Sequence, residues 1–262
     1  MLGAIIGDII GSPYEYRSGK TKHFPLFTAS CAPTDDSLMT MAVGLACVSA
    51  DVEEEEEFKR TLAATMREVG RQYPDAGYGA TFYNWLMSDT MGPYGSYGNG
   101  SAMRVSPVAY AATSLSEAER LAKWSAEVTH DHPEGVKGAQ AVAAAIYLAR
   151  VGKEKEEIRR YIEEKYYPLD FTLDEIRPSY CFNVSCQGSV PQAIVSFLES
   201  DGFEDAIRNA VSLGGDGDTI AAIAGSIAEA YYGIPEGLQE QAMEYLDDEQ
   251  KTWFFTYADE LV

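Results

Sequence analysis

Basic residues are scarce in this chain. Lys and Arg total 20 against 41 Asp and Glu, which leaves a net charge of −21 at neutral pH. A mean field of that sign repels nucleic acid and anionic membrane surfaces, so neither is expected as a partner. A phosphate-bearing ligand would have to be met locally, by metal ions or backbone N–H groups. Part of the acid excess is plain surface: Glu53 to Glu57 reads as a solvated run at a helix start, where the helix dipole favours negative charge.

Cysteine is also sparse. Cys31, Cys47, Cys181 and Cys186 form no Cys-x-x-Cys pair, and no histidine lies at zinc-finger spacing. Reduced thiols in a cytoplasmic protein are the expectation. No apolar run reaches the ~18 residues that a membrane span needs. Met1 to Gly11 is apolar but has no basic flank and is interrupted by Asp8, so it does not read as a signal peptide. Alternating β-branched runs are nearly absent, as are linkers, low-complexity segments and fixed-period repeats.

What remains is alanine-rich and 46% hydrophobic over 262 residues, enough for a sizeable core. The pattern predicts an all-α protein, a compact multi-helix orthogonal bundle forming a single domain over 1–262. Leu2 to Ile10 reads as a short buried helix whose glycines 3, 7 and 11 permit close helix approach. Leu38 to Ala50, Glu53 to Tyr73, Tyr78 to Met87, Val105 to Ala112, Leu115 to Val128 and Val136 to Val151 follow as helices. Lys153 to Lys165 is a charged helix, Tyr166 to Ser179 is irregular, and Cys181 to Ser189 is turn-like. Val190 to Leu198 is helical with Pro191 in its first turn, where proline is tolerated. Phe203 to Leu213, Ile220 to Tyr232, Glu236 to Leu246 and Gln250 to Leu261 complete the chain.

The chemistry concentrates at helix starts. Leu213-Gly214-Gly215-Asp216-Gly217-Asp218-Thr219 sets two carboxylates and a hydroxyl on a glycine-rich turn before an apolar helix. Such oxygens suit a hard cation, and the same residues also suit N-capping. Pro33-Thr34-Asp35-Asp36-Ser37 repeats the arrangement, with the hydroxyl on the other side of the acids. Two such clusters are a poor match to coincidental capping. Thr34, Asp35, Asp36, Asp216, Asp218 and Thr219 form one set of hard ligands, with Glu15 a candidate seventh. So many carboxylates around one ion would leave surplus negative charge. Converged, they favour two ions about 3.5–4 Å apart. Gly98-Asn99-Gly100-Ser101 is a glycine loop that feeds a helix and can present N–H groups to phosphate, though a plain flexible loop reads equally well. His130 and His132 lie at i, i+2, one read as facing the site and one as structural.

The series Gly-Asp-x-x-Gly with Glu15, Thr34-Asp35-Asp36, Gly98 to Arg104, Thr129-His130-Asp131-His132 and Gly214 to Thr219 resembles the ADP-ribosylglycohydrolase family, of the dinitrogenase-reductase-activating type. The resemblance spans Gly3 to about Gly233. It implies an all-α fold and two Mg²⁺ (or Mn²⁺) held by Thr34, Asp35, Asp36, Asp216, Asp218 and Thr219, with Asp216 or Asp218 touching both. It further implies that Glu15 meets a metal or the substrate at the mouth. Gly98, Asn99, Gly100 and Ser101 would hold the phosphates and ribose of ADP-ribose, with His130 near the distal ribose. Arg104, Asp131 and His132 would give structural support. The implied reaction is hydrolysis at C1 of that ribose, with Glu15, Asp35 or Asp36 as the proton-handling carboxylate. The substrate would be an ADP-ribosylated protein, arginine-linked first, or a small ADP-ribosyl conjugate, and ADP-ribose the product. The alternatives are a dinuclear-metal nucleotide phosphohydrolase, or a non-catalytic ADP-ribose-binding or structural relative.

Overall fold

A computed structural model describes residues 1–15 and 19–261. Tyr16, Arg17 and Ser18, at the start of the segment read as the Arg17 to Ala32 loop, lie outside it. The regular structure of the described chain is helical. In order the helices are α1 (Leu2–Gly11), α2 (Asp35–Ser49), α3 (Glu55–Gln72), α4 (Ala80–Met87) and α5 (Gly100–Met103). Then come α6 (Ser106–Ala111), α7 (Leu115–Glu127), α8 (Pro133–Arg150), α9 (Lys155–Lys165) and α10 (Leu173–Ile176). Last are α11 (Cys186–Leu198), α12 (Phe203–Ser212), α13 (Gly217–Tyr232), α14 (Glu236–Met243) and α15 (Asp248–Leu261). Among the described residues, extended pairing is limited to one isolated bridge, between Gly98 and Ser185. No helix among them is long and apolar enough to cross a membrane.

Two assignments made from sequence need correction. The helix read as Val190 to Leu198 begins four residues earlier, at Cys186, because Ser185 Oγ accepts the Gly188 N–H and caps it. Pro191 therefore sits inside that helix rather than in its first turn. The irregular Tyr166 to Ser179 stretch contains α10, fixed by a capping box in which Thr172 and Glu175 satisfy each other's backbone N–H groups.

The core is built on α1 and α13. Every residue of α1 is buried, consistent with a helix apolar on nearly all sides. Its glycines lie against α13 so closely that side chains cannot intervene. A Cβ on Gly7 would stand 2.1 Å from the Ala221 carbonyl oxygen, and one on Gly11 would stand 2.5 Å from Asp218 Cα. This crossing brings the end of α1 to the first turn of α13 and, with it, Asp8 to Asp218. Gly7→Val is accordingly expected to cost about 3 kcal/mol or more, as overpacking does when backbone must move. Urea unfolding of the metal-free protein would read that loss, and metal affinity should fall with it, since both sides of the cluster ride on these two helices.

Candidate metal centre and active site

The acidic helix starts converge on one cavity of about 680 Å³. Thr34, Asp35 and Asp36 line it from the start of α2, and Asp216, Asp218 and Thr219 from the start of α13. Glu15 reaches it from the 3-10 turn after α1, and Gly98 to Gly100 with His130 close another wall. The helix starts follow from local sequence. Thr34 has extended backbone and its Oγ1 accepts the Asp36 N–H at 3.4 Å, which is N-capping. At the other cluster Gly214 (φ 67°) and Gly215 (φ 78°) take left-handed backbone that glycine alone adopts readily. Asp216 occupies the cap position there, but its side chain makes no capping bond. Its carboxylate instead accepts the Asn99 amide at 2.6 Å. Capping thus explains Thr34 and leaves the acids unexplained.

Two groups of carboxylates lie with ligand oxygens within 4.8 Å of one another: Asp8, Asp36 and Asp218, and Glu15, Asp216 and Asp218. Asp218 belongs to both. Asp35 lines the same cavity but enters neither group. Among the described residues no Lys or Arg forms an ion pair with any of these acids. The electrostatic consequence is large. Burial, then the charges of Asp8, Asp218, Asp35 and Asp216, push Asp36 well above the carboxylate range. Burial, then Asp216, Asp8 and Glu15, do the same to Asp218. Asp35 rises to about 8 through burial and then Asp8, Asp216 and Glu15. Asp216 rises to about 6 through burial, held there by the Asn99 hydrogen bond. Carboxylates brought together in this way, with no ion-paired Lys or Arg among the described residues, carry a surplus of negative charge that divalent cations remove.

The donor set fits such ions. Among the described residues Asp36 Oδ1 is buried without a hydrogen-bond partner, and Oδ2 receives only the Thr219 hydroxyl at 3.2 Å. Asp8 differs. Thr34 N at 2.8 Å, Thr34 Oγ1 at 2.6 Å, Ser37 N at 3.0 Å and Ser37 Oγ all donate to it. A carboxylate has about four lone-pair sites, so Asp8 is saturated. It ties α1 to the start of α2 and adds negative charge beside Asp36. Sequence reading placed Asp8 in the Gly-Asp-x-x-Gly motif but gave it no role. The signal was there, since a lone acid in an otherwise apolar helix demands buried partners.

The glycine loop is pinned on both sides. Thr129 O accepts from Tyr94 N at 3.2 Å and Asp131 from Gly95 N at 2.7 Å, while Val184 O accepts from Asn99 N at 2.8 Å. Among the described residues the N–H groups of Gly100 and Ser101 have no acceptor. Of the two side chains read as substrate-facing, Asn99 lines the cavity and Ser101 does not. The Ser101 hydroxyl points into the core and donates to Gly135 O at 2.7 Å. Asn99 Nδ2 holds Ser189 Oγ at 3.1 Å as well as Asp216. His132 caps α8 by accepting the Glu134 N–H. Because second-sphere hydrogen bonds orient ligands, Asn99→Leu is expected to weaken Mn²⁺ binding about 10- to 100-fold with little change in helical content, measurable by titration calorimetry.

A family model described as ADP-ribosylglycohydrolase matches residues 1–262. The human protein ADP-ribosylhydrolase ARH3 is 27% identical over 94% of this chain and 88% of its own length. ADP-ribosylarginine hydrolase Tri1 from Pseudomonas putida (strain GB-1) is 28% identical over 92% of this chain and 73% of its own. A solved chain of an ADP-ribosylglycohydrolase-related protein complex superposes with a TM-score of 0.70 at 21% identity, covering 100% of this chain and 96% of that one.

Proposed function

The chain belongs to the ADP-ribosylglycohydrolase family, and on that premise we propose that it is a dinuclear-metal ADP-ribosylhydrolase cleaving the C1 glycosidic bond of ADP-ribose. The observation that carries this reading is the convergence, in one cavity, of the two carboxylate groups sharing Asp218 with the Gly98 to Gly100 loop and His130. Two Mg²⁺ or Mn²⁺ would be held by Thr34, Asp36, Asp216, Asp218 and Thr219, with Asp35 or Glu15 completing the set. Bound there, such ions neutralise the carboxylates, orient ribose hydroxyls and make water more acidic.

The chain's own groups do the rest. The unpartnered N–H groups of Gly100 and Ser101 bind anionic oxygens of the diphosphate without adding charge. Asn99 keeps Asp216 aimed into the cavity, and Asp8 fixes the start of α2 that carries Asp35 and Asp36. Glu15, only half-buried, and Asp35, which lines the cavity outside both carboxylate groups, are the carboxylates placed to take a proton from water or deliver one to the leaving group. Arginine is the first acceptor to test, in keeping with the name of the Pseudomonas relative.

The test is incubation with arginine-linked, serine-linked and small-molecule ADP-ribose, with Mg²⁺ or Mn²⁺ and with EDTA. Release of intact ADP-ribose that EDTA suppresses supports the reading. Release of AMP or inorganic phosphate would replace it with a phosphohydrolase.

A further inference from the structure

Arg104 is fully buried and, among the described residues, forms no ion pair, although the Asp35 charge acts on it from the same cavity lining. Its Nη2 donates to Ser125 O at 3.1 Å and to Thr129 Oγ1 at 2.9 Å. Thr129, also fully buried, has its Oγ1 2.7 Å from His130 Nδ1. The protons on this chain of contacts can be counted. A guanidinium only donates, so Arg104 occupies a lone pair of the Thr129 hydroxyl. That hydroxyl has one proton of its own, and the neighbour placed to accept it is Nδ1. If Nδ1 carried a proton instead, the hydroxyl would receive two donors and its own proton would be buried without an acceptor. The satisfied arrangement is Arg104 to Thr129 to Nδ1, with the imidazole proton on Nε2.

Nε2 is the ring atom turned toward the ligand wall. A Cβ on Gly100 would lie 3.1 Å from it and one on Gly98 would lie 3.5 Å away, and His130 lines the cavity. Among the described residues Nε2 has no hydrogen-bond partner. We infer that Thr129 and Arg104 are positioning residues which lock His130 in its neutral Nε2–H form, so that it offers one hydrogen-bond donor to a ligand oxygen beside the Gly98 to Gly100 loop. Burial, then the Arg104 charge, holds the imidazole neutral. The donor is therefore a tautomeric one and persists at neutral pH. The inference rests on the proposed ADP-ribose reading only for the identity of that oxygen, ribose hydroxyl or phosphate.

The chain has three histidines, so ¹⁵N-histidine spectra of the full-length protein resolve them individually. His130 is expected to show an unprotonated Nδ1 and a protonated Nε2 across pH 6 to 8. Thr129→Val should give a mixed tautomer and weaken ADP-ribose binding about twofold, the cost of drawing the binding form from a roughly even mixture. Thr129→Ser, which keeps the hydroxyl, should restore both. A wild-type His130 protonated at Nδ1, or a folded Thr129→Val protein with unchanged tautomer and unchanged ADP-ribose affinity, would overturn the inference. If the wild-type protein failed to bind ADP-ribose while the tautomer was as stated, the functional reading would fall and the relay would stand.

Discussion

Asp36→Asn is expected to lower ADP-ribosyl hydrolysis about a thousandfold while making the metal-free protein more stable. The two halves have one cause. Asp36 is buried, with Oδ1 unpartnered and with Asp8 and Asp218 close by. Without cations its negative charge is a burden that burial and its neighbours have already pushed toward protonation. An amide of the same shape removes that charge and brings an N–H₂ donor to the surrounding carboxylates. A gain of about 1–2 kcal/mol follows, the usual scale for a well-placed buried hydrogen bond to a charged group. With cations the sign reverses. The amide gives up a charged ligand, and a metal site loses several kcal/mol of transition-state stabilisation, close to a thousandfold in rate. Differential scanning calorimetry with and without Mg²⁺, beside the hydrolysis assay, reads both. A variant that was inactive and also less stable without metal would mean that Asp36 serves the fold rather than the ions.

The second large effect is of pH on the metal-free protein. Asp8 and Asp216 have folded pKa values raised to about 6 and Asp35 to about 8, from ordinary carboxylate values near 4. Burial is the leading cause for each. A group whose folded pKa exceeds its unfolded one binds its proton more tightly in the native state. Its contribution to stability is complete below the unfolded pKa and is lost as pH climbs to the folded one. The metal-free protein is therefore expected to lose stability progressively between about pH 4 and pH 8. Mg²⁺ should flatten that profile, because cations replace the protons. Metal affinity should rise through the same window, with protons released on binding. Urea midpoints measured in EDTA and in Mg²⁺ at pH 5, 6.5 and 8 test this. Parallel profiles in the two conditions would show that the carboxylates do not take up the ions.

The acidic clusters were legible in sequence because their helix-start geometry is local. Thr34 caps α2 with its own backbone neighbours, and Gly214 and Gly215 announce the turn before α13. The all-helical fold was legible for the same reason, since period and alanine content act over one or two turns. Asp8 was not, because its four donors sit 26 to 29 residues away. Nor was the role of Asn99, whose partner Asp216 is 117 residues distant. The Ser101 hydroxyl shows the converse: its place in the motif pointed to the ligand, but the packing of α5 on α8 turns it to Gly135. Local chemistry told which residue types gather, and only the packed helices told which way each one faces.

Anomalous diffraction from crystals of the full chain grown with Mn²⁺ and ADP-ribose addresses the proposed centre directly. Two manganese peaks about 3.5–4 Å apart, both within bonding distance of Asp218, are the predicted result. A single peak, or manganese bound away from Asp36, Asp216 and Asp218, would contradict a dinuclear site at this helix junction.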